Sequence, residues 1–223
     1  MDNQQTILFI SSGFYFLYPP ISLSKETAEG PLEKLETITN DNVTAYIDQE
    51  HFNLIPQSLF DESSISSYLE LTAIEKKGST PISNYIPLID STIIWTLNEE
   101  VKKKLIVNSP GIVFKHMLSL FINEKITQKK SPEIKIRIIK NSLYILCFNN
   151  GKLQLANRFL ISGEDDAIYF TLLCAQHTKI NKENTCINAK GEITKTFKNQ
   201  LHNFFDSTKI NLEETSTFQS FLS

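Results

Sequence analysis

Cys174 and His177 are the first residues to consider, because a thiol and an imidazole can bind a metal or form a nucleophile–base pair. They stand three positions apart on a predicted helix, which places both side chains near one face. The sequence offers no second pair at ligand spacing to complete a metal site. We therefore expect a buried cysteine beside a surface histidine.

Glu164, Asp165 and Asp166 form the sharpest acidic cluster in the chain. Carboxylates bind divalent cations, but this cluster comes directly before an apolar helical pattern, where the helix dipole favours negative charge. Ser162, three residues before Asp165, predicts a capping box. We interpret the cluster as a helix start.

The remaining nucleophiles, histidines and basic runs suggest no catalytic arrangement. We interpret each of the other histidines as a surface or core residue, and the two serines lie outside a G-x-S-x-G nucleophile elbow. The basic runs end predicted helices, where cations are favoured; binding of an anionic partner is the alternative. These residues are His51, His116 and His202; Ser58 and Ser220; and Lys102, Lys103, Lys104, Lys129 and Lys130.

Composition excludes several classes of protein. The 223 residues carry 22 Lys+Arg against 25 Asp+Glu, a formal net charge of -3, so we expect no nucleic-acid partner. No apolar run is long enough to span a bilayer, and Met1–Gln5 lacks the positive charge of a signal peptide. The 3 cysteines form no C-x-x-C pair. We expect a cytoplasmic protein without membrane insertion.

Hydrophobic periodicity and turn residues predict mixed strands and helices in the first half of the chain. The predicted elements are a hairpin over 6–18 turning at Ser12–Gly13, a short helix with Pro31 at its first position, strands within 43–55, a helix capped by Asp61 or Ser63, a strand region over 86–97, and a helix capped by Asn98.

The second half shows a clearer pattern, of an antiparallel meander followed by crossovers. The predicted elements are a helix over 111–127 with His116 near its middle; strands over 134–138, 143–148 and 153–159; a helix burying Ile168, Leu172, Leu173 and Ala175; a parallel strand over 185–188; and a helix over 194–205 with Phe197, Leu201 and Phe204 on one face. This order is that of a ribonuclease H-like unit, and the first half can be read in the same way.

Three segments carry a resemblance that covers nearly the whole chain: ISSGFYF from Ile10, FNLIPQSLF from Phe52, and LYILCFNNGKLQLANRF from Leu143. With them the chain resembles a bacterial family of unknown function that has an actin-like ATPase fold. The resemblance implies an α/β protein of two ribonuclease H-like lobes with mixed sheets and flanking helices. We place the lobes at 1–105 and 106–223.

Active actin-like proteins hold ATP phosphates and magnesium with two glycine-containing hairpins, each bearing an acidic residue. Here the corresponding hairpins are Ser11-Ser12-Gly13 and Lys140-Asn141-Ser142, and neither contains a carboxylate. A hydroxyl is a poor magnesium ligand. The glycine pair that would accommodate adenosine is also missing, and Gly191 stands alone. We therefore assign no catalytic, cofactor-binding or metal-ligating residue and expect no cofactor.

The leading hypothesis is a non-catalytic actin-like scaffold or protein-interaction module with a degenerate nucleotide cleft and an unknown protein partner. Outward aromatic side chains of Phe14–Tyr18, on an edge hairpin, are a candidate partner surface; the chain's own tail is the alternative cover. The alternative function is an ATP-binding switch or ATPase. A nuclease, a third hypothesis, would need distant carboxylates such as Asp48 or Asp90 to meet beside a sheet.

Overall fold

The computed structural model describes residues 5–18, 29–35, 38, 42–71, 77–124, 131–206 and 209–214. The chain divides into two compact units, Met1–Asn123 and Glu124–Ser223, called here the first and second lobe. The predicted lobes differ from these units by the segment 106–123. That segment contains a strand that pairs with the sheet of the first lobe.

The first lobe contains eight described strands and three α-helices. They are β1 (Thr6–Ser11), β2 (Phe14–Tyr18), β3 (Glu29–Pro31), β4 (Val43–Ile47), β5 (Phe52–Pro56), α1 (Ile65–Leu71), β6 (Ser79–Ile86), β7 (Ser91–Asn98), α2 (Glu99–Asn108), β8 (Val113–His116) and α3 (Met117–Asn123). Single 3-10 turns lie at Leu32–Lys34, Gln57–Leu59, Glu62–Ser64 and Pro87–Ile89.

The second lobe contains five described strands and two α-helices. They are β9 (Glu133–Ile139), β10 (Ser142–Asn149), β11 (Lys152–Leu160), α4 (Glu164–His177), β12 (Cys186–Gly191), α5 (Lys195–His202) and β13 (Ile210–Glu214). A 3-10 turn lies at Lys182–Asn184.

Each lobe has a five-stranded mixed sheet, and the strand order is the same in both. The orders are β3-β2-β1-β4-β8 and β11-β10-β9-β12-β13. Counting only the strands of each five-stranded sheet along the chain, both orders read third, second, first, fourth and fifth. The first three strands are antiparallel, and the last two run parallel to the first. Tight turns close the hairpins: Ser12–Gly13 and Asn150–Gly151 all have positive φ, as the turns of twisted hairpins require.

The first lobe carries an insertion between its fourth and fifth strands. It consists of a three-stranded antiparallel sheet, β5-β7-β6, with α1 packed on it through Leu69 and Ile94. Helix α2 then leads back to β8. Its start is capped as predicted, since the Asn98 side chain accepts hydrogen bonds from the N–H groups of Glu100 and Val101.

The core of the second lobe lies on one face of its sheet. Ile134, Ile136 and Ile138 of β9 point into it and pack with residues of α4 and α5, including Ala167, Cys174 and Leu201. Strand alternation puts the intervening residues of β9 on the opposite face.

The helix predicted over 111–127 is wrong in its first half. Residues 113–116 form β8, which pairs with β4, and α3 begins only at Met117. His116 marks the change, because its Nδ1 atom accepts a hydrogen bond from the Leu118 N–H, 3.1 Å away, and so caps the helix start. The prediction failed because the apolar residues of a short strand and of the short helix that follows it together resemble the pattern of one longer helix.

Three smaller predictions also need correction. Gly163, not Ser162, is the N-cap of α4, and the Asp166 carboxylate accepts the Ser162 N–H. Leu173 and Phe204 are each 43% exposed, while Phe205 is buried instead. The β1–β2 hairpin does not form the edge of its sheet, because β3 pairs with β2.

Candidate functional site

The carboxyl ends of β1 and β4 bring a hydroxyl and a carboxylate together in the first lobe. Ser11 ends β1, and Asp48 directly follows β4, which runs parallel to β1. The Ser11 hydroxyl donates to Asp48 Oδ2 at 2.7 Å, and the Asp48 N–H donates to the Ile10 carbonyl at 2.8 Å. A half-buried carboxylate therefore lies beside the hairpin, although the hairpin sequence itself contains none.

Asp90, the other distant carboxylate of the nuclease hypothesis, lies at the end of the 3-10 turn Pro87–Ile89, beside the inserted sheet. It precedes β7 with φ of 45° and accepts a hydrogen bond from the Tyr85 hydroxyl at 2.9 Å. That hydrogen bond raises the pKa of Tyr85. Across the described ranges, no three His, Cys, Asp or Glu side chains form a group that could hold a metal ion.

The corresponding hairpin of the second lobe, between β9 and β10, is held by a carboxylate from the end of β12. Lys140 lies in the turn with φ of 53°, and its N–H donates to Glu192 Oε1 at 3.3 Å. The Glu192 N–H in turn donates to the Ile138 carbonyl at 3.1 Å. An amide of this turn is thus already paired with an anion of the same lobe.

Gly191 makes this arrangement possible. Its φ is +126°, and a Cβ atom there would lie 1.9 Å from the Ile138 carbonyl oxygen. Only glycine lets the end of β12 approach the end of β9 so closely. The single glycine that the sequence offered for an adenosine site therefore has a structural role.

The acidic start of α4 borders a shallow depression of about 440 Å³. Each carboxylate accepts a hydrogen bond from a different group of the lobe: Glu164 from the Thr194 N–H at 3.0 Å, Asp165 from Gln200 Nε2 at 2.7 Å, and Asp166 from the Ser162 N–H at 2.8 Å. These bonds tie the first turn of α4 to α5 and to the preceding loop. The cluster stabilises a helix junction.

Cys174 and His177 do not form a pair at one surface. Cys174 is buried in the core and burial raises its pKa to about 11, whereas His177 is exposed. Cys147 on β10 is also buried, and its pKa rises to about 12 through burial and the charge of Cys174. A thiol with a raised pKa is a poor nucleophile at neutral pH.

The other candidates are scattered. His51 and Ser58 are exposed, and Ser220, Lys129 and Lys130 lie outside the described residues. Lys103 lies 3.8 Å from Glu99 one helical turn away, and the Lys104 ammonium donates to the Glu33 carbonyl at 2.6 Å.

Sequence reasoning missed a buried polar cluster in the first lobe around His116, which is fully buried. Its Nε2 atom lies 2.9 Å from the Gln49 carbonyl and its ring contacts those of Phe52 and Trp95. Asn84 Oδ1 accepts from Trp95 Nε1 at 3.0 Å and from the His116 N–H at 3.2 Å, while its amide donates to Phe114 O at 2.9 Å. Asn84 thus ties the inserted sheet to β8.

Sequence reasoning also missed a buried ionic cluster in the second lobe. Lys135 and Arg137 are each 1% exposed; Arg137 forms a bidentate ion pair with Glu124, and Lys135 donates to the Glu124 carbonyl at 2.8 Å. Burial lowers the pKa of Lys135, against the opposing charges of Glu124 and Glu133. Their alternation with isoleucine indicated a polar face of β9, but a sequence alone gives no sign that this face is buried.

The aromatic hairpin is less exposed than expected. Phe14 is 47% exposed, while Tyr15, Phe16 and Tyr18 are half-buried. Phe16 contacts Phe9, and Phe9 stacks on Tyr46. The tail, the alternative cover of this hairpin, lies outside the described residues beyond 214.

Two mixed sheets with one strand order, each with hairpins at its first strand, are the architecture of the actin-like ATPase fold. A solved structure from Bacteroides thetaiotaomicron VPI-5482, a protein with actin-like ATPase fold and unknown function, is similar to this chain with a TM-score of 0.80 and 18% sequence identity. The similarity covers 98% of this chain and 94% of that one. The chain therefore has an actin-like ATPase fold.

The family model described as "Protein of unknown function (DUF3822)" matches residues 33–207, and the chain belongs to that family. A second structure, of the foamy viral protease-reverse transcriptase in complex with RNA/DNA hybrid, aligns over 70% of this chain and 25% of that one with 11% identity and a TM-score of 0.27, which supports no argument. Comparison with the curated proteins finds no match. In the described part of the chain, no helix is long and apolar enough to cross a membrane.

Proposed function

We propose that this member of the family is a non-catalytic actin-like protein that acts as a scaffold or protein-interaction module in the cytoplasm. The proposal rests on the hairpin of the second lobe, where the Glu192 carboxylate accepts the Lys140 N–H at 3.3 Å. A phosphate bound at this turn would accept hydrogen bonds from its backbone N–H groups. Because the Lys140 N–H already donates to Glu192, this carboxylate competes with a phosphate for that N–H group.

The hairpin of the first lobe supports the same function. Ser11 stands where the active proteins have an acidic residue, and its hydroxyl is engaged with Asp48. In this protein, phosphate binding would therefore compete with hydrogen bonds that the lobes already make. The expected activity is binding of a protein partner without turnover of nucleotide.

A nucleotide-binding switch is the second candidate, and Asp48 is the observation that favours it. Its carboxylate lies 2.7 Å from the Ser11 hydroxyl, so the first hairpin has an acidic neighbour even though the acid comes from another strand. A carboxylate in this place is a suitable ligand for magnesium or for a water molecule bound to it.

Thermal unfolding in the presence of ATP and magnesium distinguishes the two candidates. A ligand at 100 times its Kd stabilises a protein by about 2.7 kcal/mol. The scaffold proposal predicts an unchanged melting temperature at millimolar ATP and no phosphate release. A saturable rise in the melting temperature would contradict it.

Matched variants identify the site if a rise is seen. Gly13 and Gly78 both have φ of +77° and no heavy atom within 4 Å of an added Cβ, so Gly13→Asp and Gly78→Asp impose the same backbone strain. Loss of the ATP effect in Gly13→Asp and Asp48→Asn, with retention in Gly78→Asp, would establish the switch. Equal behaviour of all three variants would assign the effect to another surface.

A further inference from the structure

The third strand of the second lobe, β11, forms an open edge of its sheet. It has 9 residues and pairs only with β10 among the described strands. A bulge near Gln154 interrupts the pairing with β10, and from Leu155 to Leu160 the register is regular. Unpaired N–H and C=O groups along such an edge can pair with another strand.

The other edges in the described part of the chain are shorter or blocked. Strands β3, β8, β5 and β13 have 3, 4, 5 and 5 residues. Strand β6 contains Pro81, which lacks an N–H group, and its Asn84 side chain is bonded to β8. Strand β11 contains no proline.

Helix α4 exposes apolar side chains next to this edge. Phe170 stacks on Phe159 of β11 with ring centroids 4.2 Å apart, which places this side of α4 over the edge strand. Tyr169, in edge contact with Phe170, is 60% exposed, and Leu173, one helical turn later, is 43% exposed. The edge of β11 and the exposed side chains of α4 thus form one continuous surface.

The charge distribution of α4 favours a second copy of this chain as the partner that binds the β11 edge and the α4 surface. Helix α4 begins with Glu164, Asp165 and Asp166, ends with His177 and is followed by Lys179. A two-fold axis perpendicular to the sheet would set two β11 strands antiparallel and would also set the two α4 helices antiparallel on the same face. The acidic end of each helix would then lie beside the basic end of the other.

The dimensions of the two elements agree with this arrangement. The 14 residues of α4 span about 21 Å at 1.5 Å per residue. Six residues of antiparallel strand span about 20 Å. A ladder over Leu155–Leu160 and a contact along the whole helix can therefore form together.

We propose that this protein forms a two-fold symmetric dimer through β11 and α4 of the second lobe. The two sheets join across the β11 edges into one ten-stranded sheet, and Tyr169 and Leu173 of both copies pack between the α4 helices. Asn157, whose Oδ1 accepts the Arg158 N–H at 2.8 Å in the monomer, exchanges that hydrogen bond for the ladder. The surface contains neither hairpin of the proposed function, so each proposal can fail alone.

Sedimentation equilibrium over a range of protein concentrations tests the dimer. We expect a species of twice the 25.5 kDa chain mass. Leu173→Lys and Tyr169→Lys should each weaken dimerisation at least about tenfold, because they place a charge in an apolar contact. Leu88→Lys is the matched control, since Leu88 is 51% exposed in the first lobe. Circular dichroism verifies that each variant is folded.

Two further measurements test the ladder and the charge pairing. Amide hydrogen exchange over 155–160 should slow as protein concentration rises, and Leu173→Lys should abolish that dependence. Lys179→Glu should weaken the dimer about tenfold at low salt, whereas Lys103→Glu on exposed α2 should not. A monomer throughout the concentration range, a dimer indifferent to Leu173→Lys, or exchange over 155–160 that is independent of concentration would overturn the proposal.

Discussion

The two lobes build the same five-stranded sheet but cover it with different connections. In the first lobe, the link from the third to the fourth strand has only a 3-10 turn in its described part, while the link from the fourth to the fifth contains a whole three-stranded sheet with α1 and α2. In the second lobe, the same links contain α4 and α5. Hairpins and parallel crossovers determine strand order, whereas the connections determine what packs on the sheet.

Because of this difference, the stability of each lobe depends on a different kind of residue. The second lobe packs two helices against one sheet face, and its strands approach closely at Gly191. The first lobe joins two sheets through the polar contacts of Asn84 and His116. Substitutions should therefore destabilise the lobes by different mechanisms.

The largest effect is expected from Gly191→Ala in the second lobe. The added Cβ would lie 1.9 Å from the Ile138 carbonyl oxygen at a φ of +126°, so overpacking and backbone strain add to about 3–5 kcal/mol of lost stability. Urea denaturation measures the loss. Gly13→Ala, at a positive φ with open space around it, is the control and should cost only about 1–2 kcal/mol. Equal costs would show that the ends of β9 and β12 can separate freely.

The next largest effect is expected from Asn84→Ala in the first lobe. Loss of its side chain leaves the buried Trp95 Nε1 donor and the His116 N–H without this acceptor, at about 2–4 kcal/mol in total. Denaturant titration followed by tryptophan fluorescence reports on this lobe, which contains the single Trp of the chain.

A double variant separates the hydrogen bond from packing. In Asn84→Ala, a further Trp95→Phe removes the unsatisfied donor, so the second substitution should cost less than Trp95→Phe alone. Since the double variant lacks tryptophan, its stability is measured by circular dichroism. Strict additivity of the two costs would mean that Asn84 acts through volume alone.

The smallest effect is a loss of stability at alkaline pH to which Cys147 of the second lobe contributes. All 3 cysteines lie there, and the pKa of Cys147 is raised from 9.0 to about 12. Above pH 9 the unfolded thiol loses its proton while the folded thiol keeps it, so stability falls as pH rises towards 12. The slope is about 1.4 kcal/mol per pH unit for this thiol.

Unfolding free energies of Cys147→Ala between pH 8 and about 10.5 should show a shallower decline than those of the wild type. Ile145→Val, on the same strand and equally buried, is the control; it should lower stability by about 1 kcal/mol at every pH without changing the slope. If the unfolding free energy of Cys147→Ala fell with pH as steeply as that of the wild type, the alkaline sensitivity would come from other groups.

The sequence determined the hairpin turns and the helix starts at Asn98 and Thr194, because these depend on neighbouring residues. Asn150–Gly151 predicts its hairpin turn, and Asn98 and Thr194 cap the helices that follow them. The resemblance gave the actin-like fold, which the structural comparison confirms. The local pattern also gave a wrong prediction between 111 and 127, where a strand and a helix share one run of apolar residues.

Only the tertiary structure decided which polar residues meet. Ser11 and Asp48 are 37 positions apart, and Lys140 and Glu192 are 52 apart, yet each pair forms a hydrogen bond at a strand end. Neither the burial of Arg137 nor the need for glycine at 191 has a local signature, since both depend on the atoms that other strands bring close. The sequence determines the chemistry of each side chain, but the pairing of distant strands determines which side chains are in contact.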